Sequence, residues 1–121
     1  MEAALPTRHA DHMDTAHLPA LADELLAIAR YATSGRAGRS TRSGRALSLR
    51  QTVLALTEGH GMDEHEANGE ATLQVLKGSV RLRWGSESVE LSEGDVVDIP
   101  DARHALDALT DAAVLLTVAV R

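Results

Sequence analysis

From His17 the segment HLPALADELLAIARYA sets Leu18, Leu21, Leu25, Leu26, Ile28 and Ala29 close to the i, i+3, i+4, i+7 spacing of an amphipathic helix. Thr15 suits the N-cap and Pro19 the first turn, where a missing amide hydrogen costs nothing. Gly35 is the expected end of this helix. From Ala46 the apolar period shortens to that of a strand. The runs ALSLRQTVLAL, ATLQVLK, SVRLRW, SVELS, DVVDI, HALDAL and AVLLTVAV are separated by turn signals at Gly59, Gly61, Asn68-Gly69, Gly78, Gly85, Gly94 and Pro100-Asp101. Strands this short, at so regular a spacing, predict an all-β sandwich or barrel behind one N-terminal α-helix.

Two runs say more. In SVRLRW, Val80, Leu82 and Trp84 share one face and Arg81 and Arg83 the other, as in a strand with one side on the core. AVLLTVAV is apolar on both faces, so it must be covered twice, by the core and by either a second subunit or the helix. Between helix and strands lies SGRAGRSTRSGR, whose composition reads as a flexible linker or basic loop, although Ser, Thr and Arg also tolerate an edge strand. Residues 1–14 show no periodicity and read as a loose tail. The chain divides accordingly into residues 1–45, carrying tail, helix and arginine-rich arm, and residues 46–121, the β domain.

Composition narrows the chemistry. A chain of 121 residues encloses one core, and 44% hydrophobic with 25% charged residues is ordinary for a folded domain. Aromatic residues make up only 2%, Tyr31 and Trp84, so the core is aliphatic and a pocket has little surface for stacking sugars, flavins or bases. Without cysteine, thiolate metal sites and cysteine nucleophiles are excluded, and any metal must be held by imidazole and carboxylate. The opening MEAALPTRHADHMD lacks the pattern of a secretory signal, and no stretch has the length of a membrane span, so a cytoplasmic protein without membrane contact is expected.

Net charge is −6, yet Leu25 to Thr57 holds no acid while Arg30, Arg36, Arg39, Arg42, Arg45 and Arg50 all fall there. Clustered arginine suits phosphate contacts. The alternative is an edge strand or interface arm meeting acidic surface of the same or a second subunit. The second reading is preferred, because the chain is acidic overall and has neither a helix-turn-helix nor a base-stacking platform. Nucleic acid is therefore not the expected partner. Arg81 and Arg83 read as exposed strand positions, or as pocket guanidiniums for an anion if that strand faces the other way.

The chemically richest stretch is HGMDEHEANGEATLQVLKG, residues 60–78. Gly59, five residues, His65, six positions on Ala71, and then six residues to Gly78 frame it. Further along, Gly94, five residues, Pro100 and then His104 form a second frame. Together these frames resemble the two motifs of the cupins, the RmlC-like superfamily, and most of all its compact single-domain bacterial members. The resemblance implies a double-stranded β-helix, or jelly-roll barrel. It also implies a divalent metal, Mn, Fe, Ni or Zn, held in the barrel mouth by three histidines and a glutamate.

This sequence departs from that set. His65 and His104 stand at ligand positions, but Ala67 replaces the second histidine and Ala71 the glutamate. In the second motif Ala102 replaces a glycine, His104 comes one residue early and Ala108 stands for an asparagine. Three protein ligands are usual for a catalytic metal. An extended chain puts Ala67 on the face of His65, with Glu66 and Glu70 opposite. A turn or bulge at Asn68-Gly69 would rotate Glu70 inward and complete a two-histidine, one-carboxylate set of His65, Glu70 and His104. In the other and preferred reading, His65 and His104 are pocket histidines bonded to each other, to backbone carbonyls or to water, with Trp84 and Glu70 among the pocket residues. His60 and its acidic neighbours read as a solvated loop, and His9, His12 and His17 have no expected ligand role.

Three functions follow, in order of preference. The first is an uncharacterised cupin binding a small molecule in its barrel. The second is a divalent-metal-dependent enzyme of dioxygenase or isomerase type using His65, His104 and Glu70. The third is a regulatory or interaction module acting through the arginine arm. A homodimer through sheet edges and the N-terminal segment is expected in each case, because edges invite pairing.

Overall fold

The computed structural model describes residues 15–66 and 69–120. Helix α1 spans Leu18–Ala29 and is followed by nine strands: β1 Arg36–Arg42, β2 Leu49–Leu56, β3 Gly61–His65, β4 Ala71–Lys77, β5 Ser79–Trp84, β6 Glu87–Ser92, β7 Val96–Asp98, β8 His104–Ala108 and β9 Ala112–Ala119. They form a five-stranded sheet, β1-β2-β9-β4-β7, and a four-stranded sheet, β3-β8-β5-β6, with every pairing antiparallel. The expected all-β jelly-roll barrel with one N-terminal helix is what the chain forms.

The two sheets close on an aliphatic core of Leu56, Leu73, Val75, Val80, Leu82, Leu91, Leu106 and Val114, with small residues filling between. Strand alternation decides which residues enter it. Along β9 Val114 points into the barrel and Leu115 out, and on β2 Leu54 and Leu56 go in while Val53 and Ala55 go out. The outward residues are not left in water. Leu25, Leu26 and Ala29 of α1 pack on Val53, Ala55 and Leu115, so the doubly apolar β9 is covered by core and helix. Each fully buried leucine in that layer is worth roughly 1.5–3 kcal/mol of transfer free energy. Three exposed ion pairs line the same contact: Lys77 with Asp23 at 2.7 Å, Arg39 with Glu24 at 2.9 Å and Arg30 with Asp111 at 3.2 Å.

Some expectations are corrected. The N-cap is His17, not Thr15, and its side chain makes no capping bond, although Pro19 does lie in the first turn. The helix ends at Ala29, short of Gly35. Gly35, with φ +69°, instead turns the chain into β1, where the His60 ring lies only 2.3 Å from where a Cβ would stand. The arginine-rich segment, by contrast, is the edge strand of the preferred reading, pairing with β2. Asp63 and Glu64, read with His60 as a solvated loop, lie in the edge strand β3; one side of an edge is wet, and the single apolar residue Met62 carried no strand signal. The tail, with His9 and His12, and the Ala67–Asn68 pair lie outside the described residues.

Candidate functional site at the barrel mouth

The alternation that sends Leu106 and Ala108 of β8 into the core sends His104 the same way, and it is only 6% exposed. On the neighbouring β3, Met62 stands opposite Leu106, but His65, three residues on, stands opposite His104, two residues back. One extra residue is absorbed at Asp63–Glu64, a β-bulge. In a regular ladder Glu64 would face His104, and His65 would turn to the outer surface. With the bulge, the two imidazoles meet edge to face, centroids 4.4 Å apart and planes inclined at 64°.

Both rings are held from behind. His65 Nδ1 lies 2.9 Å from the Asp63 carbonyl oxygen, and His104 Nδ1 lies 2.9 Å from that of Ala102. A carbonyl only accepts, so each Nδ1 carries its hydrogen and donates it, and the neutral ring keeps its lone pair on Nε2. Carbonyls fix the ring and tautomer of metal-bound histidines in this way, and they do the same for histidines that accept from a ligand hydroxyl or amine.

The surrounding acids are placed elsewhere. Arg103 takes Glu66 at 3.0 Å and Glu64 at 3.3 Å, and these carboxylates hold its guanidinium above the ordinary arginine value, Glu66 first. Glu70 is exposed, and its backbone oxygen accepts from the Ala119 amide at 2.9 Å. It precedes β4 at a position whose alternation, shared with Thr72 and Gln74, runs opposite to the core residues Leu73 and Val75. Among the described residues no three His, Cys, Asp or Glu side chains converge to hold a metal ion. The residues present therefore do not fit the four-ligand metal group that the motifs imply.

Trp84 ends β5, half-buried against the core. It follows the Arg83–Ala105 pair and shares the inner face of β5 with Val80 and Leu82. Arg81 and Arg83 face out, as expected, Arg81 pairing with Glu90 at 2.7 Å and the Arg83 fork with Asp107, one arm at 3.1 Å.

One residue of the mouth was not anticipated. Arg50, counted above only as part of the basic segment, alternates with Thr52, Leu54 and Leu56 on the barrel side of β2. It pairs in register with Val118, near the end of β9 remote from the β8–β9 turn, which is also the end where His104 begins β8. The Arg50 Nη2 donates to the Gly44 carbonyl at 3.3 Å, while its Nε is buried with no hydrogen-bond partner among the described residues. A buried donor without an acceptor costs about 1–3 kcal/mol, more when it is charged. The alternation of LSLRQTVLAL, which sets Arg50 in phase with Leu54 and Leu56, was the available signal.

No protein-family model matches the sequence, and no curated protein is similar to it. Solved structures are. A conserved protein of unknown function from Streptococcus pyogenes superposes with a TM-score of 0.66 at 24% identity, over 74% of this chain and 78% of that one. A cupin superfamily protein from Desulfitobacterium hafniense gives 0.65 at 15% identity, over 71% and 78%. An RmlC-like cupin from Desulfovibrio desulfuricans gives 0.60 at 23% identity, over 69% and 81%. With two antiparallel sheets, an inward-facing histidine pair at one end and these neighbours, the chain has the cupin fold.

Proposed function

We propose that this protein binds a small molecule at the mouth of its barrel, with His65 and His104 as the polar groups that orient it. The observation that carries this reading is the histidine pair itself: two rings 4.4 Å apart, each tied through Nδ1 to a backbone carbonyl, with both Nε2 lone pairs left for a partner. A pocket that recognises a hydroxyl or amine uses such a pair of neighbouring rings, because two acceptors side by side reject ligands that cannot donate. A fragment library screened by the histidine ring proton signals tests the reading. Hits that shift both His65 and His104 in the wild type, and lose at least about tenfold in affinity in His104→Ala, are expected. Hits confined to other surfaces would sink it.

The metal-dependent enzyme reading has the carbonyl-anchored imidazoles in its favour, and a direct test separates it. Elemental analysis after loading with Mn, Fe, Ni or Zn is expected to give well under one equivalent, since two imidazoles bind such ions weakly. Stoichiometric metal, lost in both His104→Ala and Glu70→Ala, would replace ligand binding by metal chemistry.

A further inference from the structure

We infer that the ligand of the barrel mouth is a small hydroxy acid, its carboxylate held by Arg50 and a neighbouring hydroxyl donated to the histidine pair; this rests on the ligand-binding reading above. Arg50 and His104 lie on the inner faces of the two opposing sheets, at the same end of the barrel. The strand order places them on facing sides. β2, which carries Arg50, leads through a short turn into β3, and β6 and β7 are joined at the other margin. At this end, then, are a guanidinium whose Nη2 is tied to the Gly44 carbonyl and whose buried Nε has no partner among the described residues, and two imidazoles whose hydrogen bonds are made through Nδ1.

Charge makes the assignment specific. An arginine turned into a barrel ordinarily has a carboxylate from the chain as its partner. Here the nearby acids are directed away: Glu64 and Glu66 bind Arg103, Glu70 is exposed just before β4, and Asp98 occupies an outward position of β7. Asp98 pairs with Thr72, while Val97 and Ile99 on either side of it pack on the core. The missing oxyanion is thus one that a ligand brings. Guanidinium favours a planar carboxylate, which two of its N–H groups grip side by side. An imidazole whose Nδ1–H donates to a carbonyl has its accepting lone pair on Nε2, which calls for a donor there and not for a second anion. A carboxylate with hydroxyl groups close by meets both demands, whereas a simple alcohol or a dicarboxylate meets one.

The test uses the full chain with gluconate, sorbitol and inorganic phosphate as probes, followed through the Arg50 Nε–H signal and the histidine ring protons. Gluconate is expected to shift Arg50 and His104 together and to bind at least about tenfold more tightly than sorbitol. Arg50→Gln should remove that preference, with Arg50→Lys restoring part of it; both variants are checked for an unaltered fold by their thermal melts. Sorbitol binding as tightly as gluconate, with no effect of Arg50→Gln, would overturn the role of Arg50 while leaving ligand binding at the histidines intact. Phosphate shifting Arg50 as strongly as gluconate would overturn the carboxylate in favour of a phosphate ester. Silence of Arg50 and His104 with all three probes would overturn the hydroxy-acid class, and the fragment screen would then decide the broader reading by itself.

Discussion

The two ends of the barrel treat polar groups in opposite ways. At the end of the β8–β9 turn, polar atoms bond to one another. The Glu58 amide donates to Asp111 at 2.9 Å, Arg30 donates to the same carboxylate at 3.2 Å, and the Ser79 amide donates to the Thr110 hydroxyl at 3.0 Å. His60 belongs to this end: its Nδ1 meets the Thr57 hydroxyl at 3.0 Å, and its ring covers Gly35. At the mouth, His65 and His104 are also bonded through Nδ1, but to carbonyls behind them, and the Arg50 Nε has no partner among the described residues. The same residue types hold the chain together at one end and are held ready at the other. The difference teaches that a polar group is informative through the partner it lacks, here the buried Nε of Arg50, since every buried polar atom needs a partner from somewhere.

Four experiments would break or sharpen that contrast. The largest effect is expected from Gly78→Ala at the closed end. Gly78 has φ +74°, and a Cβ there would stand 2.1 Å from the Asp111 carbonyl oxygen, so strain and a backbone clash act together. A loss of about 3 kcal/mol or more in urea unfolding is expected, with the histidine ring signals at the mouth unmoved. A loss under about 1 kcal/mol would show that this end is not rigid.

Deleting Asp63 comes next. It removes the extra residue of the bulge, so that Met62, Glu64 and His65 run in step with Leu106, Ala105 and His104; His65 stays opposite His104 and Glu64 turns to the outer face. What is lost is the Asp63 carbonyl that anchors the His65 ring, so the contact between the two rings should persist in nuclear Overhauser spectra while ligand binding weakens and the protein still unfolds cooperatively. Loss of the ring contact would mean that the bulge itself, and not the register of His65 with His104, aims the ring.

Asp111→Asn should cost about 1 kcal/mol, a modest figure because the carboxylate is partly solvated. Its pH dependence has a definite sign. The bond from the Glu58 amide, followed by Arg30, lowers the Asp111 carboxyl below its ordinary value of 3.8. A depressed folded value means stability fully present above 3.8 and lost as the pH falls through the lowered one. Wild type should therefore lose stability faster than Asp111→Asn in that acid range. Parallel curves would remove Asp111 from the account of the closed end.

The smallest change in stability is expected at the mouth. Arg50→Gln exchanges a buried unpartnered donor for a neutral side chain, so its melting temperature should stay close to wild type or rise. A large fall would make Arg50 a structural residue that holds the loop at Gly44, and the two ends would then be alike.

Much of the fold was legible because alternation is local. Val80, Leu82 and Trp84 face inward as SVRLRW requires, and the two apolar faces of AVLLTVAV announced the double cover that core and α1 provide. β3 was not legible, since GMDEH has a single apolar residue, Met62, and holds its place through that side chain's contact with the core and through pairing with β8. The helix start also missed its expected cap, because packing of Leu25, Leu26 and Ala29 on the sheet stabilises α1 where the cap does not.

At the site the division is similar. The sequence by itself determined that His65 and His104 stand in a glycine frame, that no cysteine can contribute, and that alanines occupy the remaining ligand positions of the cupin motifs. Tertiary structure decided that a bulge at Asp63–Glu64 turns His65 toward His104, and that Arg50, more than fifty residues before His104, shares their end of the barrel. The physical reason is that a strand's sequence fixes which residues share a face. Register and strand order, set by pairings between distant segments, fix which faces meet.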